Sequence, residues 1–205
     1  MGGIFNYDGP LFRFLDKAVN IVIINLLFLI CSIPVFTIGA SMTALYYMAM
    51  KLSAGEEGYI LQGFFKSFKE NFKQSTIIWM IMLLIAVIFR VDFYAVNSIG
   101  SGAFSAVFRV GLIILFLVWL LELSYVFPLL ARFQNTVKGT MKNALAMAVG
   151  SLPMTAVIFL IWAAAGFAVY VFFWRAVPII ILVGFSLPAY LSSFIFRRVF
   201  DKYSN

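Results

Sequence analysis

The sequence predicts an all-α fold, a polytopic transmembrane helical bundle occupying residues 1–205 as a single transmembrane domain. Three observations lead there. Of the 205 residues, 64% are hydrophobic and 11% charged, and the mean hydropathy is +1.04, more apolar surface than a water-soluble core of this size hides. The long runs of Leu, Ile, Val and Phe do not alternate with polar residues, which selects helices over barrel strands, because a spanning helix satisfies its own backbone hydrogen bonds. The charges gather at the ends of the apolar runs.

Taken in order, Asp8-Gly9-Pro10 reads as a turn and helix start, and Leu11 to Lys17 as a short interfacial helix. Both charge signs precede the first apolar run and no small-residue cleavage site follows it, so that run is read as a retained helix rather than a signal peptide. A span is expected over residues 18–33. Pro34 and Gly39 then interrupt the pattern before residues 40–52. Either the chain turns back there, giving six spanning helices, or residues 18–52 form one kinked span, giving five.

The positive-inside rule favours six. If the chain turns back, the N-terminus, the loops at 51–73 and 132–142 and the C-terminus share one side, which collects twelve Lys and Arg against Arg90, Arg109 and Arg175 opposite. One kinked span gives ten against five. The predicted location is a plasma membrane with both termini cytoplasmic. The net charge of +7 is explained by anchoring to anionic lipid headgroups and does not call for nucleic acid.

Between Tyr59 and Lys73 the residues Leu61, Phe64, Phe65, Phe68 and Phe72 fall on one helical face, opposite Lys66, Lys69, Glu70 and Lys73. This predicts an amphipathic elbow helix lying in the interface. A span over 75–95, an outer hairpin at Asn97–Gly102, a long helix over 104–133 bending near Pro128, and a fifth span over 144–173 bent at Gly150–Pro153 follow. Arg175–Pro178 is read as a turn, and the last helix as kinked near Pro188. A second elbow carries Lys138 and Lys142, and Phe68–Lys73 aligns with Val137–Lys142, apolar on apolar and lysine on lysine. Such a match arises from a structural repeat or simply from two loops that both need lysines.

The residues narrow the chemistry. With no His and with Cys31 as the only cysteine, an internal disulfide, a cysteine-based zinc site and a Ser-His or Cys-His nucleophile are ruled out. There is no phosphate-cradling glycine loop followed by lysine. A non-enzymatic protein without a cofactor is expected. Glu122 stands inside the apolar run 111–130. It serves either as an interhelical hydrogen-bonding group or as part of a polar path in a channel or carrier. Arg90, Asp92 and Arg109, with Phe93, Tyr94, Phe104 and Phe108 nearby in sequence, form either an outer-side site or an ordinary interfacial belt. Phe64, Phe65, Lys66, Phe68, Lys69, Phe72, Lys73, Lys138 and Lys142 are the candidate contacts to lipid or a partner.

The run GASMTALYYMAMKL at residues 39–52, followed by FFKSFKENFKQSTIIW at 64–79, resembles the YesL-like family of bacterial membrane proteins, a domain of unknown function. Asp8-Gly9-Pro10 and Arg132-Phe133-Gln134-Asn135-Thr136 are similar to it as well. The resemblance implies a Gram-positive source and an accessory role beside carbohydrate ABC importers, with the permease or its ATPase subunit as partner. It supplies no catalytic residue. A homo-oligomer is compatible with all of this.

Overall fold

The computed structural model describes residues 10–56, 58–98 and 102–203. The expected turn at Asp8-Gly9, the tip of the outer hairpin at 99–101, Glu57 and the side chain of Arg175 lie outside the described residues. The described residues form eight α-helices, with no strand among them. They are α1 (Pro10–Cys31), α2 (Ile38–Ala54), α3 (Ile60–Ser98), α4 (Ala103–Arg132), α5 (Val137–Gly150), α6 (Leu152–Val171), α7 (Phe173–Val183) and α8 (Ser186–Tyr203).

The bundle is built around α2. Its buried residues run almost continuously from Gly39 to Leu52, because α1, α3, α4 and α8 all pack on it. Small residues make this possible. A Cβ at Gly39 would collide with the Ser75 carbonyl of α3, and would lie 2.7 Å from the Trp79 Cβ and 3.1 Å from Phe127 of α4. At the other end of α2, Met48 Sδ lies 2.7 Å from where a Cβ on Gly63 would sit. The two helices are therefore antiparallel, and Gly55, in the left-handed conformation at φ 74°, ends α2 and starts the return.

The chain also reverses between α1 and α2. Residues at the start of α1, Arg13 to Asn20, line one cavity with Leu52, Gly55 and Ile60, so 18–52 is not one kinked span. The turn is a 3-10 segment over Val35–Thr37, held by the Thr37 hydroxyl against the Cys31 carbonyl at 2.5 Å. Val35 O accepts from Trp79 Nε1 at 2.8 Å. This ties the tip of the α1–α2 hairpin to the middle of α3.

Several boundaries differ from the sequence reading. The short interfacial helix at 11–17 is the first part of α1. The elbow helix at 59–73 does not end before the membrane span: both belong to the 39-residue α3, about 58 Å long at 1.5 Å per residue. The fifth span begins at Leu152, and residues 137–150 form a separate helix, α5. Both ends of α5 lie at the same end of the bundle. Gln74 bonds to Asn135 O and Thr140 Oγ1 near its start, and a Cβ on Gly150 would lie 2.5 Å from the Tyr203 hydroxyl. The aligned segments 68–73 and 137–142 hold different helical positions, one well inside α3 and the other opening α5.

Pro178 sits inside α7 rather than in a turn, and the bend of 44° falls between Val183 and Ser186, not at Pro188, which the first turn of α8 tolerates. Asn25 of α1, fully buried, closes this break. Its Nδ2 donates to the carbonyls of Ile180 and Ile181 at 2.9 and 2.7 Å. Its Oδ1 accepts from the backbone N–H groups of Phe185 and Ser186 at 2.9 and 3.0 Å. One side chain thus satisfies backbone groups that the interrupted helix leaves open.

Among the described residues four helices are long and apolar enough to cross a membrane: α1 from Phe12, α3, α4 from Phe104 and α6. The bent α7–α8 pair makes a fifth. The remaining segment expected to cross, α2, has 17 residues and is sheathed by protein rather than lipid.

Candidate docking surface

The polar side chains converge at one end of the bundle, where α1 begins, α2 ends, α4 ends and α8 finishes. The largest open cleft described there, about 990 Å³, lies between α2, the first turns of α3 and the α4–α5 connection. Tyr47, Glu70, Asn71, Gln74, Arg132 and Asn135 are among its walls. Tyr47 also borders a neighbouring cavity of about 320 Å³ with Lys51, Arg197 and Asp201.

Local structure fixes the cleft. On α3 the buried stripe Phe64, Ser67, Ser75, Ile78 and Met82 faces the bundle. Asn71 donates to the Ser67 carbonyl at 3.0 Å. Gln74 Nε2 donates to Asn135 O at 2.6 Å and to Thr140 Oγ1 at 3.2 Å, joining α3 to α5. Thr136 caps α5 by accepting from Gly139 N at 3.2 Å. Arg132 Nη2 donates to Asp201 Oδ1 at 2.6 Å, and Lys51 lies 3.7 Å from Glu56. These two are the ion pairs among the described residues.

The amphipathic face of α3 is divided. Phe64 is fully buried and Phe68 and Phe72 are half-buried, Phe64 stacked on Phe68 and Phe68 tilted against Phe72, so they hold the bundle together and offer little to a partner. Phe65, at 40% exposure, together with Lys66, Lys69 and Lys73, points outward. Lys138 and Lys142 are exposed on α5. The Gln74 bridge, next to Lys73, joins α3 to α5 on either side of Lys138, and no carboxylate pairs with any of the five lysines among the described residues.

At the far end Arg90 and Arg109 are exposed and Asp92 half-buried. No ion pair closes that hairpin among the described residues. Aromatic packing joins the two helices there, with Phe89 and Phe93 of α3 edge-on to Phe116 of α4 at 5.6 and 6.2 Å. Glu122 is half-buried and makes no hydrogen bond or ion pair among the described residues, and none of the cavities described is lined by it. No group of His, Cys, Asp and Glu suited to a metal occurs among the described residues.

Sequence reasoning missed Asn25, whose signal was a lone carboxamide inside the apolar run 21–31. It also missed the pairing of Tyr125 with Thr155. The Tyr125 hydroxyl lies 2.9 Å from Thr155 Oγ1, which donates to Ala148 O at 2.9 Å, linking α4, α5 and α6 in the core.

Helices of this length and apolarity around a protein-sheathed central helix define a polytopic helical membrane protein. The family described as "Protein of unknown function, DUF624" matches residues 21–93, which hold the second half of α1, all of α2 and most of α3. No curated protein and no solved structure matches the chain.

Proposed function

We propose that the chain is a non-enzymatic accessory protein of a bacterial carbohydrate ABC importer, held in the plasma membrane with both termini in the cytoplasm. It docks its basic end on the permease or the ATPase subunit. The observation that carries this reading is the pair of lysine rows on α3 and α5, exposed, without acidic partners among the described residues, on two helices bridged by Gln74. An uncompensated row of like charge at a membrane face meets anionic headgroups, an acidic protein surface, or both. The cleft beside it offers carboxamides, a carboxylate and a guanidinium for directional contacts. The resemblance of residues 39–52 and 64–79 to the YesL-like family supplies the choice of partner.

Purification of the tagged chain from native membranes in mild detergent tests the proposal. Permease and ATPase subunits are expected to come with it at low salt and to be lost when Lys66, Lys69 and Lys73 are changed together to Glu. Recovery of the chain without any importer subunit sinks the idea.

A further inference from the structure

We propose that the groove between α6 and α8 is a binding site for one anionic phospholipid, with Arg198 holding the headgroup phosphate and an acyl chain lying in the groove below it. The groove, about 310 Å³, is walled by Pro153, Met154 and Val157 of α6 and by Ile195 and Arg198 of α8. All of these walls are apolar except Arg198. Pro153, Met154, Val157 and Arg198 are exposed on the outside of the bundle, so the occupant comes from the surrounding membrane. The length of α6 sets the depth. Its 20 residues from Leu152 to Val171 qualify as a span on their own and measure about 30 Å, the thickness of the hydrocarbon core. The first turn of α6 therefore sits at one edge of that core, and Arg198, packed beside it, stands at headgroup level. Ile195 and Val157 lie about one turn deeper, and Leu191 and Leu187, both exposed, continue the same line along α8 toward the bilayer centre.

Charge selects the headgroup. Arg197 and Arg198 are adjacent in sequence but about 100° apart around the helix. Arg197 lines the polar cavity that holds Lys51 and Asp201, and Asp201 is taken by Arg132 at 2.6 Å. Arg198 has no carboxylate partner among the described residues, and no carboxylate lines its groove. The ammonium of a zwitterionic headgroup thus finds no acceptor of opposite charge there, whereas a phosphate receives the paired hydrogen bonds that a guanidinium donates. Size selects a lipid over a partner's helix. One turn of a helix about 10 Å across and about 5.4 Å tall fills about 420 Å³, more than the whole groove, while an acyl chain is narrow enough to lie in it. The site is separate from the lysine rows of α3 and α5 and does not depend on what those rows dock against.

Photo-labelling of the full chain in liposomes tests this. Phosphatidylglycerol and phosphatidylcholine, each with a diazirine in one acyl chain, are supplied in turn at trace level in phosphatidylcholine membranes, and the labelled residues are located by peptide mass spectrometry. Met154 and Val157 are expected to be labelled about fivefold more by phosphatidylglycerol, the preference that one basic side chain gives at an anionic headgroup. Leu117, exposed on α4, is expected to take both lipids equally, and its labelling reports that each variant is still inserted. Arg198→Gln is expected to remove the preference, Arg198→Lys to keep part of it, and Arg197→Gln to leave it intact. Val157→Trp fills the groove from its lipid side and is expected to abolish the preference at Met154. Excess glycerol 3-phosphate in the buffer is expected not to compete. Equal labelling by the two lipids, a preference indifferent to Arg198→Gln or to Val157→Trp, the same loss in Arg197→Gln, or a groove that takes no label would each overturn the proposal. Displacement by glycerol 3-phosphate would overturn it too, by making the groove a site for free phosphate.

Discussion

Asn25 accepts the backbone N–H of Ser186 at 3.0 Å, across 161 residues of sequence, and the same carboxamide serves three further backbone groups of the α7–α8 break. The orientation of the amide follows from its neighbours: backbone N–H groups on one side demand the oxygen, and carbonyls on the other demand the nitrogen. Replacing Asn25 by Leu keeps the volume and leaves all four backbone groups open. At about 0.6 kcal/mol per hydrogen bond in a membrane protein, a loss of about 2 kcal/mol is expected in detergent unfolding. Unchanged stability would mean that water or a relaxed backbone replaces the amide.

Gly39 predicts a packing effect of the opposite kind. Its Cα faces the Ser75 carbonyl, Trp79 and Phe127, so Gly39→Ala must push α2 away from α3 and α4. Overpacking of this sort costs about 1–3 kcal/mol. Gly166→Ala in α6 is the control, because an added Cβ there meets nothing within 4 Å, and it is expected to be neutral or slightly stabilising through helix propensity. Equal melting temperatures for the two variants would contradict the tight three-helix contact.

The Arg132–Asp201 pair joins the end of α4 to the end of α8, but its carboxylate side chain is 62% exposed. Screening by water and ions holds such pairs to about 0–1 kcal/mol. Asp201→Asn is accordingly expected to leave thermal stability nearly unchanged at both low and high salt. A loss of more than about 1 kcal/mol would show that the pair organises the cleft beside it.

What the sequence made legible was what short-range periodicity encodes. The helical class, the reversal around Pro34–Gly39 and the continuity of α4 through Pro128 all follow from apolar runs and their interruptions. The gathering of lysines with Arg132 and Arg197 at one end follows from where charge falls. The length of α3 did not follow. An amphipathic stretch and an apolar stretch with no Pro or Gly between Phe64 and Ser98 present the same 3.6-residue repeat whether or not the helix bends, and packing along α2 decides for one helix. Nor did the role of α2: Tyr46, Met48 and Met50 read as one more membrane edge until Phe64, Tyr125 and Phe196 surround them. The break at Gly184–Phe185 was invisible because its partner, Asn25, is 160 residues away.

The bond from Trp79 to Val35 sets how deep the α1–α2 hairpin reaches. Trp79 is six residues past Lys73 and nineteen before Ser98, about 9 Å from the one and about 28 Å from the other along α3 at helical rise. If the hydrocarbon core, about 30 Å thick, begins near the last lysine of α3, the hairpin tip lies about a third of the way through it. The exposed apolar side chains at the tip, Ile33, Val35 and Phe36, then face acyl chains rather than the opposite aqueous side. In a Cys31→Ser background, Ile33→Cys is expected to resist impermeant thiol reagents added from either side of the membrane. A fluorophore attached there after solubilisation and reconstitution should be quenched most by lipids labelled part-way down the acyl chain. Ready labelling of Ile33→Cys from the side opposite the lysines would show instead that α1 and α2 both cross the bilayer, and that the six-helix topology is the right one.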